Sequence, residues 1–351
     1  MSIAARRRVA VLMGGWSHER AVSLRSGAAM VSQLDPGRYD RRAVNLLEDR
    51  QALVLEPGTE PTDAAWQAAR PMPLLEAFRV LAAWPVDVAA LALHGAGGED
   101  GTLQGFLETL GIPYTHSGVA GSAISMDKEV SKLLYTAHGI ATPRHVIVRP
   151  GDDPVACAGD LGWPVMVKPP CLGSSFEVYV AADAAALRAA CASLFAIDRR
   201  VLVEQFIRGR EFTCAALQRR YGGKTEALPV MEIVPKSGTF FDFKAKYTPG
   251  ATSELTPAPI AAELAARIQD TAVRCHEALQ CEGVSRTDFM LDAAGSLFAL
   301  ETNAIPGMTE LSLLPKTAKV AGISFAQLLD LMIEFALSRP ARGRTMSQPA
   351  P

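Results

Sequence analysis

The chain has 351 residues, 49% of them hydrophobic, with 35 Lys and Arg against 37 Asp and Glu and a formal net charge of −2. That length predicts a large core shared by two or three domains, and the near-neutral balance excludes a nucleic acid or an anionic membrane as the main partner, while leaving room for a local basic site. No apolar run approaches the roughly 18 residues of a membrane span, the run behind Arg6, Arg7 and Arg8 is too short for a signal peptide, and six cysteines without metal spacing read as reduced packing residues of a cytoplasmic protein.

In chain order, residues 9–13 form an apolar run broken by Gly14 and Gly15, and Ser17 is placed to cap a helix running towards Gly27. Residues 86–93 form a second run, ending at His94 and the glycine-rich HGAGGEDG, before a helical pattern over 102–110. Two buried, parallel-type strands that deliver polar residues at their C-terminal ends predict an open α/β sheet with a ligand edge. The stretch 48–73, rich in Pro, Gly, Glu and Ala, is expected to form an insertion over that sheet. Beyond residue 126, short strands at 146–148, 165–167, 201–204 and 212–217 surround a helix at 182–195, a pattern of α+β type. A third section follows, with a strand at 228–234, a polar and aromatic loop, a helix at 261–280, two strands joined at DAAGS and two closing helices, the second at 324–337. Residues 339–351 lack periodic apolar positions and are expected to be a disordered tail.

The stretch GVSRTDFMLDAAGSLFALETN reads as an antiparallel hairpin. If its turn pairs Asp292 with Gly295, Asp288 lies opposite Ala299, Arg286 opposite Glu301 and Val284 opposite Asn303. Alternation then projects Arg286, Asp288, Glu301 and Asn303 from one side, with Ala299 leaving room beside Asp288, and sends Phe289, Leu291, Phe298 and Leu300 to a buried face. Two carboxylates and an amide oxygen on one patch are the hard oxygen ligands that Mg²⁺ takes. A surface hairpin with one Arg–Glu pair would need only Arg286 and Glu301. The following AIPGMTELS turns into a helix at about Thr309, where Gly307 allows close backbone approach and N–H groups can receive an oxyanion or carboxylate.

Together with GGWSHERAVSLRSG, HGAGGEDGTLQG, SMDKEVSK, PVMVKPPCLGSS, VLVEQFIRGREF, FDFKAKYTPGATSELTPAPI and ETNAIPGMTELSLLPK, this hairpin resembles the ATP-grasp fold and, within it, the D-alanine–D-alanine ligase family. The matching pieces run in family order from residue 9 to about 337. The resemblance implies an α/β ATP-grasp fold: an N-terminal Rossmann-like, pre-ATP-grasp domain with a parallel sheet (1–125), and two α+β domains that clasp ATP, a central lid domain (126–211) and a C-terminal catalytic domain (212–338). It implies that two D-alanines are joined through a D-alanyl phosphate, with release of ADP and phosphate, to supply a peptidoglycan precursor. ATP and Mg²⁺ follow, the latter as two ions with Mn²⁺ as an alternative, together with a homodimer in the cytoplasm.

By the same resemblance Lys128 and Lys168 hold nucleotide phosphates and Lys246 joins them from a loop, while Ser174 and Ser175 belong to a loop that folds over them. Glu204, Phe206 and Ile207 surround the base, and Glu211 meets the ribose. Asp288, Glu301 and Asn303 hold metal. Glu19 takes the ammonium of the first D-alanine with Ser174 and Tyr247 as partners, and His94 lies near the second substrate. Arg286 and the Gly307 N–H face the tetrahedral oxyanion, and Ser312 with the Leu313 N–H anchors the second carboxylate. The base that deprotonates the second amine is open between the Glu19, Ser174, Tyr247 group and His94. Tyr247 favours a dipeptide over an ester product, while D-serine stays open as acceptor. One departure stands out, because Phe176 and Glu177 follow the two serines where the family usually has a glycine after the apolar residue. Three other functions compete: an ATP-grasp ligase for D-serine, D-lactate or another acid, a non-catalytic nucleotide-binding regulator, for which Glu177 is the sole support, and an NAD-dependent oxidoreductase, which lacks G-x-G-x-x-G.

Overall fold

A computed structural model describes residues 6–173, 177–235 and 252–340. Three sheets follow one another along the chain. The first contains β1 (Arg7–Gly14), β2 (Tyr39–Leu46), β3 (Gln51–Val54), β4 (Met72–Pro73) and β5 (Val88–Leu91), in the order β4-β3-β2-β1-β5. Its centre is parallel, with β1 between β2 and β5, and helices α1 (Arg20–Gln33), α2 (Asp63–Ala68), α3 (Leu74–Ala83) and α4 (Thr102–Thr109) accompany it. The 48–73 stretch does more than lie over this sheet, because it also lengthens it: β3 pairs antiparallel with the edge strand β2 and β4 with β3, while Ala65 and Trp66 of α2 pack against the sheet's core. α1 starts at Arg20 and continues past Gly27. Ser17 does not cap it; its hydroxyl donates to the His94 carbonyl at 2.6 Å, joining the first two strand ends.

Helices α5 (Val119–Met126) and α6 (Lys128–Ala137) lead into a four-stranded sheet of β6 (His145–Val148), β7 (Val165–Lys168), β8 (Tyr179–Ala181) and β9 (Val201–Gln205), ordered β6-β9-β7-β8, with α7 (Pro154–Ala158) and α8 (Ala184–Leu194) packed on it. The third sheet contains β10 (Gly209–Gln218), β11 (Thr225–Ala227), β12 (Met231–Pro235), β13 (Thr252–Leu255), β14 (Val284–Asp292) and β15 (Leu297–Asn303). Helix α9 (Ala262–Ala278) buries Ile268, Ala272 and Cys275 against this sheet, and α10 (Leu313–Val320) and α11 (Phe325–Ser338) close the chain against α1 and β5. The boundary expected between 211 and 212 falls inside β10, which pairs with β14 from Gly209 onward. Arg339, assigned to the tail by its composition, instead turns a largely enclosed side chain inward: it donates to the His116 carbonyl, pairs with Glu282 at 2.9 Å and lies over Tyr114. No single described helix is long and apolar enough to cross a membrane. All six cysteines are unbridged, and burial pushes the Cys281 thiol up to about 11 and the Cys214 thiol to about 12, as packing residues require.

Gly27 shows why α1 sits where it does. A Cβ at this position would lie 2.6 Å from the Met13 Cβ and Cε, so the helix touches β1 through a bare backbone. Gly27→Ala is expected to lower unfolding stability by about 1–3 kcal/mol through overpacking, measured by urea denaturation.

Candidate active site

The hairpin β14–β15 differs from its expected pairing in two ways. The turn holds one residue more, so Leu291 pairs with Leu297 and Phe289 with Ala299. A bulge then adds a second shift, so Asp288 faces Glu301 and Arg286 faces Asn303. One shift reverses the faces and the second restores them. Arg286, Asp288, Glu301 and Asn303 therefore share a cavity wall as expected, whereas Ala299 turns into the core with Phe289 and Leu300 turns out of it. The cause lies outside the hairpin: the Ala299 N–H donates to the Ala141 carbonyl at 2.8 Å, and its carbonyl accepts from the Thr142 hydroxyl at 2.8 Å. The chain between α6 and β6 thus takes the backbone groups that regular pairing would have used.

Two cavities meet at this wall. The larger, about 1080 Å³, lies between the first and third sheets and is lined by Glu19, His94, Arg286, Gly307, Ser312 and Leu313. The smaller, about 430 Å³, lies between the second and third sheets and is lined by Lys168, Glu204, Phe206, Ile207 and Glu211, with Met166, Met290 and Leu300 as apolar walls. Lys128, Asp288 and Glu301 line both, while Asn303 opens to the larger one. Ser174, Ser175, Lys246 and Tyr247 lie outside the described residues.

Ion pairs organise the junction. Arg286 grips Asp288 through two bonds of 2.9 Å, and Lys128 stands 3.0 Å from Glu301 while donating to the Leu172 carbonyl at 2.7 Å. Burial disfavours the Lys128 ammonium, but Glu301 outweighs it and holds its pKa above the ordinary lysine value. The Asn303 amide oxygen accepts from the Ile305 N–H at 2.9 Å and shapes the turn that follows. That turn runs further than expected, since α10 begins at Leu313 and the Ser312 hydroxyl accepts from the Thr309 N–H at 3.0 Å. A Cβ on Gly307 would lie 2.9 Å from this hydroxyl, so only glycine lets the two approach.

At the other end of the larger cavity, Glu19 stands at the N-terminus of α1, and a Cβ on Gly173 would lie 3.0 Å from its Oε2. The described part of the CLGSS loop thus already reaches Glu19. His94 is buried, with Nε2 3.3 Å from the Ser26 hydroxyl and Nδ1 3.9 Å from Glu99. Glu99 was not singled out from the sequence. It is an acid inside a glycine-rich loop after a strand, and it closes that loop by accepting from the Gly95 N–H at 2.7 Å. Burial disfavours the His94 imidazolium, yet Glu99 and then Glu19 raise its pKa above the ordinary value. Glu177 has a left-handed backbone, φ 54°, where a glycine would be unstrained, and its carboxylate accepts from the Tyr179 hydroxyl.

Comparison with known proteins decides the family. The model of the D-Ala–D-Ala ligase N-terminus matches residues 8–117 and that of the D-Ala–D-Ala ligase C-terminus matches residues 134–334. The chain belongs to the D-alanine–D-alanine ligase family. It is 42% identical over 332 residues to the D-alanine–D-alanine ligase of Syntrophobacter fumaroxidans, covering 94% of this chain and 97% of that one. Among solved structures, the Bacillus anthracis D-alanine–D-alanine ligase complexed with ATP superposes with a TM-score of 0.75 at 33% identity, covering 94% and 97% of the two chains. The VanG D-Ala:D-Ser ligase of Enterococcus faecalis superposes at 0.79 with 31% identity, covering 95% and 100%. The fold is accordingly the ATP-grasp fold of this family.

Two outcomes test the geometry. Because the His94 pKa is raised on folding, the stability it contributes is full below its unfolded value near 6.5 and is lost as pH rises through the folded value. The stability gap between wild type and His94→Gln is therefore expected to be widest below pH 6.5 and to shrink in alkaline solution, read from denaturation at successive pH values. Glu177→Gly removes a charge beside the CLGSS loop and is expected to lower the KM for ATP by about two- to fivefold, the worth of one partly exposed charge pair.

Proposed function

We propose that this family member is an ADP-forming ligase that joins two D-alanines, with ATP activating the first as an acyl phosphate. The supporting observation is the shared wall of Lys128, Asp288 and Glu301, which puts a nucleotide-sized cavity and an amino-acid cavity in contact at one charged seam. ATP takes the smaller cavity, its base among Glu204, Phe206 and Ile207, its ribose at Glu211 and its phosphates at Lys128 and Lys168, with Ser174, Ser175 and Lys246 completing their cover. The first D-alanine sets its ammonium at Glu19, with Ser174 and Tyr247, and its carboxylate at the seam, where attack on the terminal phosphorus needs mainly positioning and charge.

Asp288 and Glu301, opposite one another in register, and Asn303 form an all-oxygen set that opens on the cavities, which fits Mg²⁺ or Mn²⁺. When bound, such an ion offsets charge on the phosphate oxygens. The carboxylate of the second D-alanine rests on Ser312 and the Leu313 N–H, near His94, and the attack of its amine builds an oxyanion towards Arg286 and the Gly307 N–H. Since Glu99 and Glu19 raise the pKa of His94 and favour its protonated form, the Glu19 group is the better acceptor for the amine proton. The same reading includes three domains built on the three sheets, a homodimer and a cytoplasmic location.

Phosphate release from ATP is expected to be fastest with D-alanine when D-alanine, D-serine, D-lactate and L-alanine are each supplied alone. Turnover with another acid and none with D-alanine would overturn the substrate assignment. Arg286→Ala is expected to lower kcat by about 10²–10³-fold, in line with loss of one oxyanion donor, and unchanged turnover would remove Arg286 from that role.

A further inference from the structure

Lys132 is among the largest side chains in the protein to be entirely enclosed, with a relative exposure of 0%. It does not line either cavity. A lysine is almost never buried this way without partners, and its partners are specific. On the next turn of α6 from Lys128, its ammonium stands 2.8 Å from Glu204 Oε2 and donates to the Thr142 hydroxyl at 2.8 Å. Lys168 reaches the other oxygen of the same carboxylate, Glu204 Oε1, at 2.5 Å. The Thr142 hydroxyl in turn donates to the Ala299 carbonyl, at the bulge that sets Glu301 opposite Asp288. One chain of contacts therefore runs from a cavity-lining carboxylate through a buried lysine and a threonine to the bulge of the metal hairpin.

We infer that Lys132 is a positioning residue for nucleotide choice: it holds the Glu204 carboxylate, braced through Thr142 on the hairpin bulge, so that one oxygen accepts from the exocyclic amino group of the base. The inference rests on the proposed placement of the base at Glu204. The electrostatics agree with it. Burial drives the Glu204 carboxyl upward, but Lys132 and Lys168 outweigh it and hold the group at about 2, a permanent acceptor. Burial pulls the Lys132 ammonium down to about 8 against the attraction of Glu204. His145, paired in register with Glu204, is held below its ordinary value by burial, which disfavours its cationic form. An ionised acceptor favours a 6-amino purine and repels a 6-oxo purine, so the arrangement selects adenine by charge as well as by shape.

The test compares ATP with inosine triphosphate, whose base carries a carbonyl where ATP carries the amino group, in wild type, Lys132→Met, Thr142→Val and Glu204→Gln, each checked for its melting temperature. Lys132→Met and Thr142→Val are expected to raise the KM for ATP, Lys132→Met by about tenfold, the worth of a hydrogen bond to a charged group. Both should narrow the preference for ATP over inosine triphosphate and leave the KM for D-alanine within about twofold of wild type. Thr142→Val keeps every charge in place and decides the matter if Lys132→Met does not fold. If Glu204→Gln narrows the preference while Lys132→Met and Thr142→Val retain it, the positioning role is wrong and the base site stands. If Glu204→Gln also retains it, the base does not sit at Glu204, and both the placement and the inference fall.

Discussion

An ionised carboxylate between two packed sheets loses several kcal/mol of hydration, and only a cation at close range in good geometry offsets that loss. Glu204, Asp288 and Glu301 all meet this constraint, and the rest of the structure is arranged around satisfying it. Lys132 and Lys168 answer Glu204, Arg286 answers Asp288, and Lys128 answers Glu301. Lys168 answers Glu204 within the second sheet and Arg286 answers Asp288 within one strand, while α6 carries the other two lysines and so ties Glu204 of the second sheet and Glu301 of the third to one helix. On the proposed reading, the cleft between these two sheets is where a polyanionic nucleotide exchanges its own charges with the pairs already present.

The same pairs make the site rigid before any ligand arrives. A bidentate guanidinium on Asp288 fixes both side chains in one plane. Lys128 ties the hairpin to the Leu172 carbonyl, which places the start of the CLGSS loop against the seam. Ser26 performs the corresponding service between sheets one and three: its hydroxyl meets His94 Nε2 and accepts from the Met308 N–H at 3.3 Å, next to Gly307. The larger cavity therefore has its His94 wall and its Gly307 wall linked by a buried hydroxyl.

Much of this was legible in the linear chain. Periodicity located β6, β7 and β9 of the second sheet to within a residue or two, since short apolar runs bounded by polar turns have few other readings, but it did not mark the three-residue β8. Glu19, His94, Lys128, Lys168 and Glu204 were recognisable as candidates through the resemblance of their motifs to the family, and His94 also through its place at a strand end. The hairpin pairing was not legible, because Ala141 and Thr142, about 150 positions away, decide where the bulge falls. Lys132 and Glu99 escaped notice for a related reason: a lysine or a glutamate looks solvated until its neighbours are known, and both are buried here.

The sequence by itself determined the family, the order of the elements and which residue types could carry the chemistry, because those depend on local pattern and on motifs that keep their spacing. Tertiary structure alone decided the register of β14 and β15, the joining of residues 51–54 and 72–73 to the edge of the first sheet, and the pairing of each buried charge with its counter-charge. Those outcomes turn on backbone groups and charges that must find partners wherever the fold brings them, and apart from Arg286 and Asp288, which are neighbours on one strand, the partners of these groups lie far away in the chain.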